Sequence, residues 1–156
     1  MADKNRVVLT QEGLEALKRE YQKLVKIDRP RAVERMVEAR NLGDLTENSE
    51  YTAARQDLAF IDGRISELEE ILKTAKAVKL SSKRKKEVSI GSKVTLKNNK
   101  KQVIFTIVGD LEADPLKNKI SLSSPLGKAL IGKKVGDKVN VQAPAGKITY
   151  QVLEIK

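Results

Sequence analysis

The feature that most constrains the fold is a heptad pattern in the middle of the chain. Apolar residues recur there at alternating steps of three and four, and charged residues fill most outer positions. This spacing places the apolar side chains on one face of a long α-helix, which a partner helix must cover. The apolar positions are Tyr51, Ala54, Leu58, Ile61, Ile65, Leu68, Leu72 and Ala75.

The partner helix is predicted upstream, beginning near Thr10. A threonine hydroxyl caps a helix by accepting a hydrogen bond from a first-turn N–H group. An apolar stripe follows at steps of three and four, which is typical of an amphipathic helix. It consists of Leu14, Leu17, Tyr21 and Leu24.

Pro30 interrupts this upstream helix. Proline lacks an N–H group and clashes with the carbonyl of the preceding turn, so a kink or short break is predicted between Ile27 and Pro30. Pro30 would begin the next helical piece. Because few residues separate this piece from the heptad helix, the two must run antiparallel. The stripe resumes in a new phase at Val33, Met36, Val37 and Arg40.

The connection between the helices, residues 43–51, carries Asp44, Glu47 and Glu50 at a spacing of three. The chain has no His and no Cys, which excludes histidine-dependent catalysis and thiolate metal sites. Any bound metal must therefore be a hard cation held by oxygen. The Asp44 and Glu47 carboxylates could converge on one Mg²⁺ as an incomplete site that another macromolecule completes. Alternatively, these acids only complement a helix dipole.

Two arginines flank this acidic connection. Arg40 precedes Asp44 by four residues, and Arg55 follows Glu50 by five. As a pair they could bind a phosphate backbone. The alternative is that they form surface salt bridges with Asp44, Glu50 or neighbouring helix residues, each contributing less than about 1 kcal/mol.

The positive charge of the chain lies in its C-terminal half. Residues 1–80 contain 15 Lys or Arg and 15 Asp or Glu, whereas residues 81–156 contain 16 and 6, so the formal net charge of +10 belongs to the second half. This asymmetry indicates two domains and an anionic surface or nucleic acid near the second, or else a solubilising lysine-rich surface. The run 83–86 is either a solvated linker or a phosphate-contacting patch.

From residue 88 the hydrophobic period becomes alternating, which predicts strands. The predicted strands are 93–97, 102–109, 119–123, 138–143 and 147–155, with turns at 98–99 and 145–146 and a short helix at 125–131. The predicted fold class is α+β. An antiparallel helical hairpin, residues 1–78, is joined by a basic linker, 79–87, to a small antiparallel sheet domain, 88–156.

Several motifs in this order resemble the bacterial Gre transcript-cleavage factors, of the GreA type. The segment 43–51, GDLTENSEY, is preceded by EAR and followed by TAAR. The similarity continues through FIDGRI at 60–65, IVGDLEAD at 107–114, SSPLGKALIGK at 123–133 and VGD at 135–137. It covers almost the whole chain.

The resemblance implies an N-terminal coiled coil and an FKBP-like C-terminal domain that docks on RNA polymerase through Ser124 and Pro125. It implies that Asp44 and Glu47 stabilise a second Mg²⁺ in the polymerase active centre, so that backtracked RNA is cleaved. Arg40 and Arg55 match positions that contact the RNA 3′ end. The factor would act as a cytoplasmic monomer, would not be an enzyme itself, and would bind Mg²⁺ only weakly when free.

Three other functions are compatible with parts of the sequence. A Gre-like inhibitor would enter the polymerase channel without promoting cleavage. A proline isomerase would need an aromatic pocket, yet residues 88–156 contain only Phe105 and Tyr150 as aromatics. A coiled-coil chaperone or scaffold would not need the acidic connection. No stretch has the length of a membrane span, and the N-terminus does not resemble a signal peptide.

Overall fold

The computed structural model describes residues 6–44, 48–79, 86–99 and 101–156. The chain forms two compact units, which are described separately. A sheet unit contains Met1–Gly13 and Lys76–Lys156, and a hairpin unit contains Leu14–Ala75. Among the described residues, no helix is both long enough and apolar enough to cross a membrane.

The hairpin unit consists of α1 (Gln11–Lys23, whose first turn belongs to the sheet unit), a π-helical segment (Leu24–Asp28), α2 (Arg29–Asn41) and α3 (Ser49–Thr74). All eight predicted heptad positions are buried or half-buried, and Leu68 is completely inaccessible to solvent. Ion pairs cross the hairpin from Arg64 to Glu20 at 2.8 Å and from Arg29 to Asp62 at 2.7 Å. Residue numbers rise along one arm of the hairpin as those of their ion-pair partners fall along the other arm. The predicted antiparallel hairpin is therefore confirmed.

Pro30 changes the helix without breaking it. The backbone from Leu24 to Asp28 is π-helical, and the Arg29 N–H group donates to the carbonyl of Leu24. Pro30 then lies in the first turn of α2, where its missing N–H group is least costly. Of the predicted kink or short break, the break is absent, because one wider turn accommodates the proline while the helix continues.

The predicted contact face of α2 is partly wrong. Ala32 and Ala39 are its buried residues, and Val33 and Met36 are half-buried. Val37 is 47 % exposed and Arg40 is also exposed, although both were assigned to the apolar stripe. Alanine was overlooked because it contributes little to a hydrophobic pattern, but its small side chain lets helices approach closely.

Within the described residues the sheet unit has two sheets. β1 (Val8–Thr10) pairs with β2 (Lys76–Val78) in parallel. The larger sheet has the order β5-β4-β3-β7-β6. Its strands are β3 (Lys93–Asn98), β4 (Lys101–Val108), β5 (Lys119–Ser121), β6 (Lys138–Ala143) and β7 (Gly146–Ile155).

The strand positions agree closely with those predicted, but the directions differ at one edge. β5 runs parallel to β4, whereas an antiparallel sheet was predicted. Residues 109–118, which include two short 3₁₀ helices, turn the chain back so that Lys119 starts β5 opposite Thr106. The second hairpin turn lies one residue earlier than predicted, because Ala143 already pairs with Gly146.

One face of the larger sheet forms the core of this unit. Val94 and Leu96 of β3 are fully buried there, and α4 (Pro125–Leu130) covers them with Leu130. Ile107 and Val152 complete the centre. Alternation along each strand directs every second side chain away from this core, to an outer face.

The two compact units divide the chain at residues other than the predicted boundaries. Residues 1–13 and 76–78 group with the sheet unit rather than with the hairpin. The Glu112 carboxylate explains part of this grouping, because it accepts hydrogen bonds from the Thr10 backbone N–H group at 2.8 Å and from the Thr10 hydroxyl. Thr10 also caps α1 as predicted, accepting from the Gly13 N–H group at 3.1 Å. Most of the predicted linker lies outside the described residues.

Candidate functional site at the hairpin tip

One asparagine fastens the two helix ends that flank the acidic connection. Asn48 caps α3, its Oδ1 accepting from the Tyr51 N–H group at 3.0 Å. Its Nδ2 donates to the Ala39 carbonyl in the last turns of α2, at 2.6 Å. The same carbonyl accepts from the Leu42 N–H group at 3.2 Å. Both ends of the connection are therefore fixed by a single side chain.

The acidic connection begins with Gly43, and any other residue at this position would have a strained backbone. Gly43 has a φ of 147°, a conformation that L-residues rarely adopt. Asp44 follows it and is exposed, as is Leu42 before it. Glu47 lies outside the described residues, so the convergence of its carboxylate with that of Asp44 stays a prediction.

Glu50, the third acid of the connection, has a different environment. It accepts a hydrogen bond from Arg35 Nε at 2.7 Å, and the same guanidinium binds Asp57. The hydrogen bond and charge of Arg35 lower the pKa of Glu50, and these partners raise the pKa of Arg35. Glu50 thus takes part in a salt-bridge network across the hairpin.

Both predicted RNA-binding arginines are exposed on the flanking helices. Arg40 lies in the last turn of α2, and Arg55 lies in the second turn of α3. Among the described residues, neither forms a salt bridge, and Glu50 pairs with Arg35 instead. Both guanidinium groups are thus available to an anionic partner.

The predicted polymerase-binding residues begin α4 in the sheet unit. The Ser124 hydroxyl accepts from the Gly127 N–H group at 3.0 Å and donates to the Ser121 carbonyl at 2.7 Å. Pro125 is exposed as the first residue of α4. Ser124 is therefore tied into the fold, and Pro125 presents the surface.

The sheet unit also contains a cavity of about 560 Å³. Its lining includes Leu122 and Ser123, which directly precede Ser124 in the sequence. Asp110 on its wall accepts from the Ser123 hydroxyl at 2.6 Å and from the Ser121 hydroxyl. These hydrogen bonds lower the pKa of Asp110. The other lining residues are Arg6, Val7, Val8, Gly109 and Leu111.

Three residues with clear roles at these sites were not singled out from the sequence. Asn48 is an ordinary capping residue type whose position before a helix is a usable signal, but the sequence does not reveal its bond to Ala39. Arg35 pairs across the hairpin with a residue 15 positions away, which local spacing does not reveal. Asp110 acquires its serine partners only when residues 110 and 121–123 are brought together by the fold.

Family models and curated relatives match both halves of the chain. The model described as "Transcription elongation factor, N-terminal" matches residues 7–77, and "Transcription elongation factor, GreA/GreB, C-term" matches residues 83–156. The transcription elongation factor GreA of Thermoanaerobacter pseudethanolicus is 48 % identical, covering 96 % of this chain and 97 % of its own. That of Clostridium acetobutylicum is 43 % identical, covering all of both.

Among solved structures, the GreA factor homolog 1 (Gfh1) protein of Thermus thermophilus is 32 % identical, covering 97 % of this chain and 99 % of that chain, with a TM-score of 0.44. Identity above 40 % over nearly full length is shared with several relatives named GreA. The observed helical hairpin and mixed sheet occupy the ranges of the two matched models. The chain belongs to the GreA/GreB family of transcription elongation factors.

Proposed function

We propose that this transcription elongation factor enters the secondary channel of RNA polymerase and stimulates the Mg²⁺-dependent cleavage of backtracked RNA. The observation that carries the proposal is the exposed Asp44, in a connection whose flanking helix ends are fixed by Asn48. α3 alone has 26 residues, so it rises about 39 Å. A paired helix of this length suits a narrow channel.

The residues of the connection fit the proposed metal by their chemistry. Asp44 and Glu47 offer only carboxylate oxygens, which Mg²⁺ prefers, and the ion commonly takes one or two protein carboxylates beside phosphate oxygens and water. In two-metal phosphoryl chemistry, such an ion stabilises the attacking and leaving oxygens. The role of this chain is to place two carboxylates and to hold them still.

The remaining predicted residues would position the partners. Arg40 and Arg55, which lie on opposite sides of the connection, would bind phosphates of the extruded RNA 3′ end. Pro125, supported by Ser124, would contact the rim of the polymerase channel. The polymerase supplies the catalytic centre, so this chain has no catalytic activity of its own. It acts as a monomer in the cytoplasm.

The experiment is cleavage of labelled RNA in stalled polymerase complexes at fixed Mg²⁺. Parent protein is expected to shorten the RNA, while Asp44→Ala and Glu47→Ala lose the stimulation by tenfold or more and keep the parent's thermal stability. Glu70→Ala is the matched control, because Glu70 is an exposed acid far along α3 that pairs only with Lys73 among the described residues. Parent protein that inhibits elongation without cleavage would favour the inhibitor function and overturn the proposal.

A further inference from the structure

The outer face of the larger sheet carries lysines that the hairpin-tip function leaves unexplained. On β3, Val94 and Leu96 point into the core, whereas Lys93 and Lys97 alternate with them and are exposed. Strand register extends this face to Lys119 of β5, Lys138 of β6 and Lys147 of β7. The core face and the lysine face are therefore opposite sides of one sheet.

Four of these lysines form a continuous band across the strands. Lys93 and Lys119 both pair with Thr106 from opposite sides, which places their backbones about 10 Å apart. Lys97 and Lys138 both pair with Gln151, at a similar separation. Four residues along β3, about 13 Å, separate Lys93 from Lys97. The band, defined as Lys93, Lys97, Lys119 and Lys138, has a spacing that long side chains can match to successive phosphates.

The band is not neutralised within the described residues. None of its lysines forms a salt bridge there, whereas Lys134 pairs with Glu87 and Lys156 pairs with Glu154. Glu154 lies on the outer face opposite Thr95, and Asp114 pairs with Lys119 in an isolated bridge at the edge of the sheet. Asp114 and the other acids of residues 86–137 serve local structure through Thr10, Ser123, Leu116 and Lys134. The charge of the face is therefore available to a partner.

The side chains of the outer face indicate which class of anionic partner it can bind. Single-stranded nucleic acids are usually held by aromatic side chains that stack on bases. The two aromatics of this unit, Phe105 and Tyr150, pack against the core instead. Apart from Glu154, the side chains between the lysines are neutral, with Ile104 57 % exposed. Lysines without a stacking platform bind phosphates and do not read bases.

We propose that this outer face binds the phosphate backbone of duplex DNA without sequence preference. The contact is separate from the hairpin tip and does not depend on the cleavage function. It would retain the factor near a transcribed template through counterion release, so it weakens steeply as salt rises.

The test compares two triple variants in binding to a fluorescently labelled duplex DNA across a salt series. Lys93, Lys97 and Lys138 are changed to Gln in the first. The control changes Lys128, Lys133 and Lys134 to Gln, which removes the same charge from α4 and the loop after it, on the core side of the sheet. The face variant is expected to bind about tenfold more weakly at low salt, with a log–log salt slope shallower by about three.

The control is expected to keep most of the parent affinity and slope. Equal losses in both variants would show that only net charge matters and would overturn the proposal. Single-stranded DNA of the same length that binds as tightly as the duplex would overturn the assignment to duplex. Circular dichroism melts of all three proteins verify that the folds are equal, as expected for exposed side chains.

Discussion

At the residue scale, Asn48 and Gly43 determine how the acidic connection is presented. Asn48 bonds to both flanking helices, and Gly43 supplies a backbone conformation that only glycine adopts without strain. Neither residue is acidic, so a search for chemistry in the sequence passes over both. We expect these two residues to set the path of the chain that leaves Asp44 exposed.

Replacing Asn48 tests whether its side chain stabilises both flanking helix ends. Asn48→Ala removes the cap on α3 and the bond to Ala39, so the free energy of unfolding should fall by about 1–2 kcal/mol in a denaturant titration. Asn48→Asp keeps an acceptor for the Tyr51 N–H group but cannot donate to Ala39 when ionised. The free energy of unfolding of Asn48→Asp should therefore lie between those of the parent and Asn48→Ala. An aspartate variant as unstable as the alanine variant would contradict the double role.

Replacing Gly43 tests the backbone path. Gly43→Ala must either adopt a strained φ, costing about 1–3 kcal/mol, or move Asp44, so RNA cleavage stimulation should fall severalfold. Gly63→Ala is the control, because Gly63 lies within α3 with open space around it. That variant should gain about 0.5–1 kcal/mol of stability and keep full activity. Unchanged activity of Gly43→Ala would show that the positive φ is not needed.

At the element scale, ion pairs and the hydrogen bonds that the Glu112 carboxylate accepts supplement apolar packing. Arg35 joins α2 to α3 through Glu50 and Asp57, and Glu112 joins β1 to the 3₁₀ helix Asp110–Glu112. The heptad spacing predicts α3 and its buried face well, because long periodic patterns have few alternatives. It does not predict Arg35 or Glu112, because their partners are distant in sequence. The buried alanines of α2 were overlooked for a different reason, because alanine contributes little to a hydrophobic pattern.

The Glu50–Arg35 pair predicts a pH dependence. Arg35 lowers the pKa of Glu50 in the folded state, so the contribution to stability is present above the unfolded pKa, near 4.5, and is lost as the pH falls through the lower folded value. Thermal melts of the parent and Arg35→Gln should therefore differ at pH 7 and converge in acid below pH 4.5. A difference that persists undiminished in acid would contradict this origin.

The hydrogen bonds from Thr10 to Glu112 predict that the amides of β1 are locally protected from hydrogen exchange. Glu112→Ala leaves the Thr10 N–H group without its carboxylate partner, so amide exchange at Thr10 should accelerate by about tenfold or more. Exchange at Val94 in the central strand β3 should be unchanged, which makes it the internal reference. Equal acceleration at both sites would indicate global destabilisation instead.

At the scale of the whole molecule, we propose separate tasks for a neutral N-terminal half and a basic C-terminal half. The family, the two halves and the strand positions could be predicted from the sequence, because heptad periodicity, alternation and ordered motifs each identify a segment. The parallel β5 edge and the grouping of β1 with β2 could not, since both arise from contacts between segments far apart. The lysine band likewise appears only when strand register joins Lys93, Lys97 and Lys138.

The proposed delivery of two carboxylates to an active centre that belongs to RNA polymerase has one decisive measurement. It is the rate of RNA cleavage in a stalled complex against Mg²⁺ concentration, with parent protein and with Asp44→Ala. The parent is expected to raise the rate and to lower the Mg²⁺ concentration needed for half-maximal cleavage, whereas Asp44→Ala is expected to do neither. The same Mg²⁺ dependence for the parent and Asp44→Ala would contradict this proposal.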